Sequence, residues 1–335
     1  MKSLLKRIVY LGYYFRQMDW PLLAKFMGHV QAQMGWGKGR QWREIFRDSL
    51  RFNISPLEYY QFRFFELTDA EKATWAGTGT MYEFQKSANP SANRHILLDK
   101  RQFYHAYRRF FRHELVSLQE LQADIGRLED LLTSNKKLVF KEATGNCGAG
   151  VAVRNVQGMT AVTALELMET EGFDIVETFV KQHPALNALS PSAVNTVRIF
   201  TQTRKNGEYE ILGCRQRISV DSPVDNLAAG NLAAPINANS GIIEGPGVYS
   251  DMTREPEELH PITGVRIVGL QIPFWQETLS LVREASFLHP ENRSVGWDVV
   301  ITPEGPGLIE GNHDWCKLVW QLPVNRGLKD RLDRT

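Results

Sequence analysis

The 335-residue chain is 43% hydrophobic and 23% charged, ordinary for a protein that buries one or two cores at roughly 150 residues per domain. Its 39 Lys and Arg against 38 Asp and Glu leave a net charge of +1, which excludes nucleic-acid binding driven by overall charge. No run approaches the roughly 20 apolar residues that cross a bilayer.

Cys147, Cys214 and Cys316 share no CxxC spacing, which points away from a disulfide framework or structural zinc and towards a reducing compartment. The basic start lacks a long apolar segment and a small-residue cleavage site, so a signal peptide is not expected. A cytoplasmic protein is the plain expectation.

The amino-terminal run places Leu4, Ile8, Leu11 and Phe15 at helical spacing among Lys2, Lys6 and Arg7. It fits either a membrane-surface helix or a helix docked on the core. Gly35 to Arg40 is a break, and it is not a phosphate loop because no strand precedes it. Ser55 and Glu58 form a capping box with Pro56 at the first helical position, opening a helix whose face carries Leu57, Tyr60, Phe64 and Leu67. The polar stretch from Gly77 to Arg94 is the expected boundary between a helical region over 1–92 and the rest.

A basic, aromatic helix is expected from Leu98 through His113. Ser117 and Glu120 make another capping box, leading a helix with Leu121, Ile125, Leu128 and Leu132 on its face. Leu138–Glu142 and Val151–Val156 read as hairpin strands around the glycines of TGNCGAG, and Asp174–Val180 as a buried strand. Two further strands join at Asn206-Gly207, a strong hairpin signal.

The most informative stretch is GWDVVITPEGPGLIEGN, Gly296 to Asn312. Two apolar runs flank TPEGP, which predicts a β-hairpin. If Ile301 pairs with Gly307, Asp298 faces Glu310 directly and Asn312 lies two residues along the same face. Two carboxylates so close share a proton or bind a cation. With an amide oxygen as third ligand, the all-oxygen set suits Mg²⁺ better than zinc. Arg198 and Arg217 sit on strands whose alternation points them inward, where they pair with an anionic phosphate or substrate or form a cross-strand salt bridge.

Together, a helix-opening Lys, a strand Lys before a glycine loop, a strand ending in Glu and a final D…E-x-N hairpin resemble the ATP-grasp superfamily. More narrowly, VNTVRIF, LGCRQRIS, VDNLAAGN, GVRIVGLQIPFW and VGWDVVITPEGPGLIEGN resemble its sugar-transfer associated family, from about residue 95 to 328. The resemblance implies an α+β ATP-grasp fold over 93–330. A nucleotide-gripping subdomain would span 93–183, and a metal- and substrate-binding subdomain 184–330.

It implies ATP and Mg²⁺ as cofactors, with Lys100 and Lys141 on the phosphates. Gly145, Gly148 and Gly150 would lie in the loop over the triphosphate, and Glu177, Phe179, Val180 and Gln182 around the adenine and ribose. Asp298, Glu310 and Asn312 would hold the metal. Arg198 and Arg217 would act on the transferring group, and Asn195, Asn226 and Gly230 would lie near the acceptor.

The implied reaction is ATP-dependent ligation of a small carboxylate to an amine, on a sugar of a cell-surface polysaccharide or glycoconjugate, through an acyl phosphate. A kinase-like phosphotransferase and a non-catalytic nucleotide-binding scaffold of a glycan-assembly complex are the alternatives. Peripheral association with the membrane's inner face or with a glycosyltransferase goes with these readings. His313, Asp314 and Trp315 either shape the pocket or cap and pack the next helix.

Overall fold

Polar caps recur at short intervals between apolar faces in the first hundred residues, and they set the helices. The computed structural model describes residues 2–145 and 150–333. Helix α1 spans Lys2–Arg16, and α2, Trp20–Met34, begins where the Asp19 side chain accepts from the Leu22 N–H at 3.0 Å. Only residues 35–37 break the chain before α3, Lys38–Phe52. The predicted Ser55/Glu58 capping box opens α4, Pro56–Gln61, and a Thr68/Glu71 box opens α5, Asp69–Ala73.

The expected polar boundary is instead largely a helix, α6, Thr78–Ala88. Met81, Phe84 and Ala88 recur at three- and four-residue spacing and are all buried; that burial outweighs the glycine and serine between them.

Asp99 caps α7, Lys100–Tyr107, which is shorter than expected because Arg108–Phe110 tighten into a 3₁₀ turn. Strand β1, Leu115–Ser117, runs into α8, Leu118–Ala123, through the Ser117/Glu120 box. Asp124 breaks the single predicted helix and caps α9, Ile125–Ser134. Strands β2, Lys137–Lys141, and β3, Val151–Asn155, pair as the predicted hairpin, with Lys141 opposite Val151. Then follow α10, Ala161–Glu171, β4, Ile175–Thr178, and α11, Pro184–Leu189. The first sheet is antiparallel in the order β1-β4-β2-β3.

The second sheet holds β5, Val197–Thr203, β6, Tyr209–Ile218, β7, Leu232–Ile236, β8, Ser294–Thr302, and β9, Gly305–Asn312, in the order β7-β6-β5-β8-β9. Helix α12, Trp275–Leu288, precedes β8, and α13, Lys317–Gln321, follows β9. Alternation divides the second sheet's faces. Val197, Ile199, Trp297 and Val299 pack with Phe103 and Tyr107 of α7 and Val282 of α12.

The opposite face is covered at one end by Phe200, Trp315 and Trp320 with Met81 and Phe84 of α6. Trp315 is therefore core, and Asp314 is exposed; α13 begins after Cys316 rather than at an Asp314 cap.

Many hydrogen bonds join the amino-terminal helices to residues 313–329. Gln321 accepts from the Ala76 N–H at 2.9 Å and donates to its carbonyl at 3.0 Å. Asn89 donates to the carbonyls of Ser294 and His313. Lys317 pairs with Glu58 at 2.8 Å.

Gly327 packs so closely on this seam that a Cβ there would lie 2.3 Å from the Thr74 carbonyl carbon. Gly327→Ala is expected to cost about 1–3 kcal/mol, measured as a lower midpoint in urea unfolding; an unchanged midpoint would show that the seam yields freely.

Candidate active site

Strands β8 and β9 place Asp298 opposite Glu310 and Gly296 opposite Asn312. The predicted partners near the turn are off by one, since Ile301 pairs with Pro306 rather than Gly307. Two deviations cancel. The turn is only Pro303-Glu304, and a bulge leaves Ile309 unpaired between Leu308 and Glu310. Without the bulge, Asp298 would face Ile309, and Glu310 would turn to the apolar side.

Asp298 is almost fully buried, and Arg198 directly opposite on β5 meets both of its carboxylate oxygens, the Nη2–Oδ2 distance being 2.7 Å. Arg217 of β6 adds Nη1 to Oδ2 at 2.8 Å. Burial opposes ionisation of Asp298, but Arg198 and Arg217 outweigh it and hold the carboxyl at about 2. Arg217 also pairs with Asp225 at 2.6 Å. Its own pKa is raised: burial lowers it, and Asp225 and Asp298 prevail.

Of the two alternatives for these arginines, the structure has the cross-strand ion pair. Glu310 differs from Asp298. Burial, then the neighbouring Asp298 carboxylate, raises its pKa. Asn312 donates to it at 3.2 Å, and Glu310 makes no ion pair among the described residues.

The first sheet supplies the second half of the site. Lys141 at the end of β2 forms an ion pair with Glu177 of β4. Glu177 is buried, which favours its neutral form, but Lys141, then His113, prevail and lower its pKa. Lys100 opens α7, with Nζ donating to the Gly145 carbonyl at 2.5 Å and the Glu142 carbonyl at 3.3 Å. Burial lowers the Lys100 pKa, opposed mainly by Glu310 and also by Glu177. The Lys100 N–H also donates to the Ala143 carbonyl at 3.0 Å, and Phe103 of the same helix lies against Gly311 of β9, so α7 touches both halves.

Gly150 adopts φ 68°, and its carbonyl accepts from the Glu142 N–H at 3.1 Å. Gly148 lies outside the described residues, as do Asn146 and Cys147. Phe179, just past β4, leaves 45% of its surface open beside the partly buried Val180.

Gln182 and Asn195 are turned towards each other rather than outward. Asn195 donates from its N–H and Nδ2 to the Gln182 side-chain Oε1 at 3.1 and 3.0 Å. Gln182 donates to the carbonyls of Ser190 and Ala193, and Asn195 accepts from Ser219. Asn226 caps a short 3₁₀ turn that ends at Gly230, which is exposed at φ 83°.

Two residues escaped the sequence reading. Asp225, next to Asn226, is the buried acid that completes the charge balance with Arg217 and also accepts from Thr196 N–H and Oγ1. An excess of inward arginines over nearby acids was the available signal. His113 is buried 3.7 Å from Glu177, with no hydrogen-bond partner on either ring nitrogen, and burial lowers its pKa. No spacing marks it.

The profile of the sugar-transfer associated ATP-grasp family matches residues 80–335. The chain belongs to this family. It is thus an ATP-grasp protein of the α+β class, its described strands forming two antiparallel sheets.

Solved structures similar to this ATP-grasp chain include D-alanyl-alanine synthetase A from Vibrio cholerae, at 13% identity and TM-score 0.40, covering 69% of this chain and 60% of that one. The L-amino acid ligase from Bacillus licheniformis is similar at 12% identity and TM-score 0.38, over 65% of this chain and 40% of that one. A RimK domain ATP-grasp protein from Sphaerobacter thermophilus is similar at 13% identity and TM-score 0.37, over 72% and 70%. This chain therefore spans less than two thirds of the length of the first two. No curated protein matches the sequence.

ATP-grasp enzymes use ATP, usually with Mg²⁺. The residues present fit such an ion. Asp298, Glu310 and Asn312 offer oxygen donors only, and Glu310 is a partly buried carboxylate beside another carboxylate, a charge that a divalent cation would relieve. No group of three or more His, Cys, Asp and Glu is poised for a metal among the described residues.

Proposed function

We propose that the chain is an ADP-forming carboxylate–amine ligase. Helix α7 supports this best: its Lys100 donates to the backbone that follows Lys141, the partner of Glu177, and its Phe103 lies against Gly311, between Glu310 and Asn312 of the hairpin that carries Asp298. Lys100 and Lys141 draw the triphosphate in, beside Gly145 and Gly150. Glu177, Phe179 and Val180 border the adenine, while Gln182 and Asn195 fix the wall behind it through their mutual hydrogen bonds. Asp298, Glu310 and Asn312 hold Mg²⁺, which supplies Lewis-acid neutralisation of the phosphate charge. Arg198 and Arg217 keep Asp298 ionised and add positive charge on the same face.

The substrate carboxylate attacks the γ-phosphorus and ADP leaves. An amine then attacks the acyl carbon, loses a proton and expels phosphate. The work of the protein is positioning and charge neutralisation. Asn226 and Gly230 flank the acceptor, an amino sugar of a cell-surface polysaccharide or glycoconjugate, a reading supported by the family's name. The same name supports work beside a sugar-transferring enzyme.

The test is an ATP assay with hydroxylamine as surrogate amine and a panel of amino and hydroxy acids, reading ADP and hydroxamate. Hydroxamate with one acid identifies the donor. A stable phosphoester without hydroxamate points to a phosphotransferase, and ATP bound but never consumed points to a scaffold; either overturns the ligase.

Lys141→Met removes a charged phosphate contact of about 1.5–3 kcal/mol. The expected loss of ATP affinity is about 10- to 100-fold, read by calorimetry. Unchanged affinity would remove Lys141 from the phosphate site.

A further inference from the structure

Helix α1 turns two apolar faces in opposite directions. Tyr14 is buried and Arg7, Tyr10 and Leu11 are partly buried on the side towards the body, where Arg7 donates to the carbonyls of Leu50 and Arg51 at the end of α3. The outer side carries Leu5, Ile8, Val9 and Tyr13, each more than half exposed. Their spacing makes a continuous apolar stripe, displayed to solvent.

The stripe does not stop at the helix end. Phe15 packs against Trp20, Trp42 and Phe46, with ring centroids 5.7–6.0 Å apart. Trp20 is 51% exposed and Phe46 42%.

Charge says what covers this face. Residues 1–53 hold ten Lys and Arg against three Asp and Glu, a net +7 in a chain of net +1, so the remainder is net −6. Arg16 ends α1, and Arg43 lies one turn before Phe46, its side chain 74% exposed. Arg16, Lys38 and Arg40 are exposed and make no ion pair among the described residues. Exposed aliphatic and aromatic residues ringed by cations match an anionic lipid interface, where Trp and Tyr settle at headgroup level. A second copy of the same face would set Arg16, Lys38, Arg40 and Arg43 against cations of the same kind.

We propose that α1, with Trp20 and Phe46, docks the chain on an anionic bilayer surface. None of these residues belongs to the candidate active site, so the proposal stands whether or not the chain is a ligase. The helix lies in the plane of the interface: no helix of the described residues is long and apolar enough to cross a membrane.

The test is co-sedimentation of the full chain with phosphatidylcholine vesicles, pure or containing roughly a third phosphatidylserine. Binding is expected to the anionic vesicles, weakening as salt rises. The double variant Ile8→Asp/Val9→Asp is expected to bind at least tenfold more weakly, with unchanged thermal unfolding because both positions face solvent. Arg16→Glu/Arg43→Glu, which leaves the apolar stripe intact, is expected to weaken binding to anionic vesicles alone. Absent binding, equal binding to both vesicle types, or equal binding by wild type and Ile8→Asp/Val9→Asp overturns the proposal. So does self-association without vesicle binding that Ile8→Asp/Val9→Asp abolishes, since that makes the face a contact between copies.

Discussion

Asp298→Ala is expected to destabilise the protein by about 3–5 kcal/mol and to reduce ATP turnover by roughly two to three orders of magnitude. The stability loss follows from what the carboxylate neutralises. Arg217 keeps Asp225 as a partner, but Arg198 makes no other ion pair among the described residues, so truncation leaves its buried guanidinium without one. Urea unfolding measures the cost. Adding Arg198→Leu should recover part of it, because the uncompensated charge goes with the arginine.

The pH dependence carries the same signature. The folded carboxyl titrates at about 2, below the ordinary 3.8, so its stabilisation is fully present above pH 3.8 and fades as pH falls towards 2. Asp298→Ala flattens that acid limb. Wild-type stability in the variant would mean that the two arginines are satisfied without Asp298.

Glu310→Gln acts in the opposite sense on stability and the same sense on turnover. The glutamate is held beside Asp298 with no ion pair of its own, and burial with that neighbour raises its pKa above the ordinary 4.5. A raised carboxyl contributes fully below pH 4.5, and its contribution is lost as pH rises through the folded value. An isosteric amide removes that decline. Wild type and variant should unfold alike in acid and diverge towards neutrality, the variant gaining on the order of 1 kcal/mol.

Added Mg²⁺ should narrow the gap by stabilising the wild type alone, while ATP turnover in the variant falls to background. Parallel stability curves across pH would show that Glu310 ionises freely and is not part of a cation site.

The opposed carboxylates could be read from the sequence because strand alternation is strict and the apolar residues on either side fix which face is inward. The pairing near the turn could not, since a two-residue turn and a bulge at Ile309 leave no mark that distinguishes them from a longer turn in regular register. Deleting Ile309 should therefore keep Asp298 opposite the glutamate.

Capping boxes at Ser55 and Ser117 were visible as local chemistry, whereas α6 was hidden under glycine and serine because its helix is stabilised by packing on Trp315. Arginine orientation was visible, but its partner was not. Asp225 comes from a loop with no periodicity, and only the folded chain brings it to Arg217.

The seam between α6 and residues 313–329 also bears on how the chain is made. Met81, Phe84 and Ala88 find their cover in Phe200, Trp315, Val319 and Trp320, so these apolar side chains emerge from the ribosome well over a hundred residues before most of the surface that shelters them. Contacts so distant in sequence slow folding and prolong the exposure of sticky intermediates. Synthesis of this protein thus has a long interval in which the apolar face of α6 is uncovered, and a chain halted before Trp315 is expected to aggregate rather than wait.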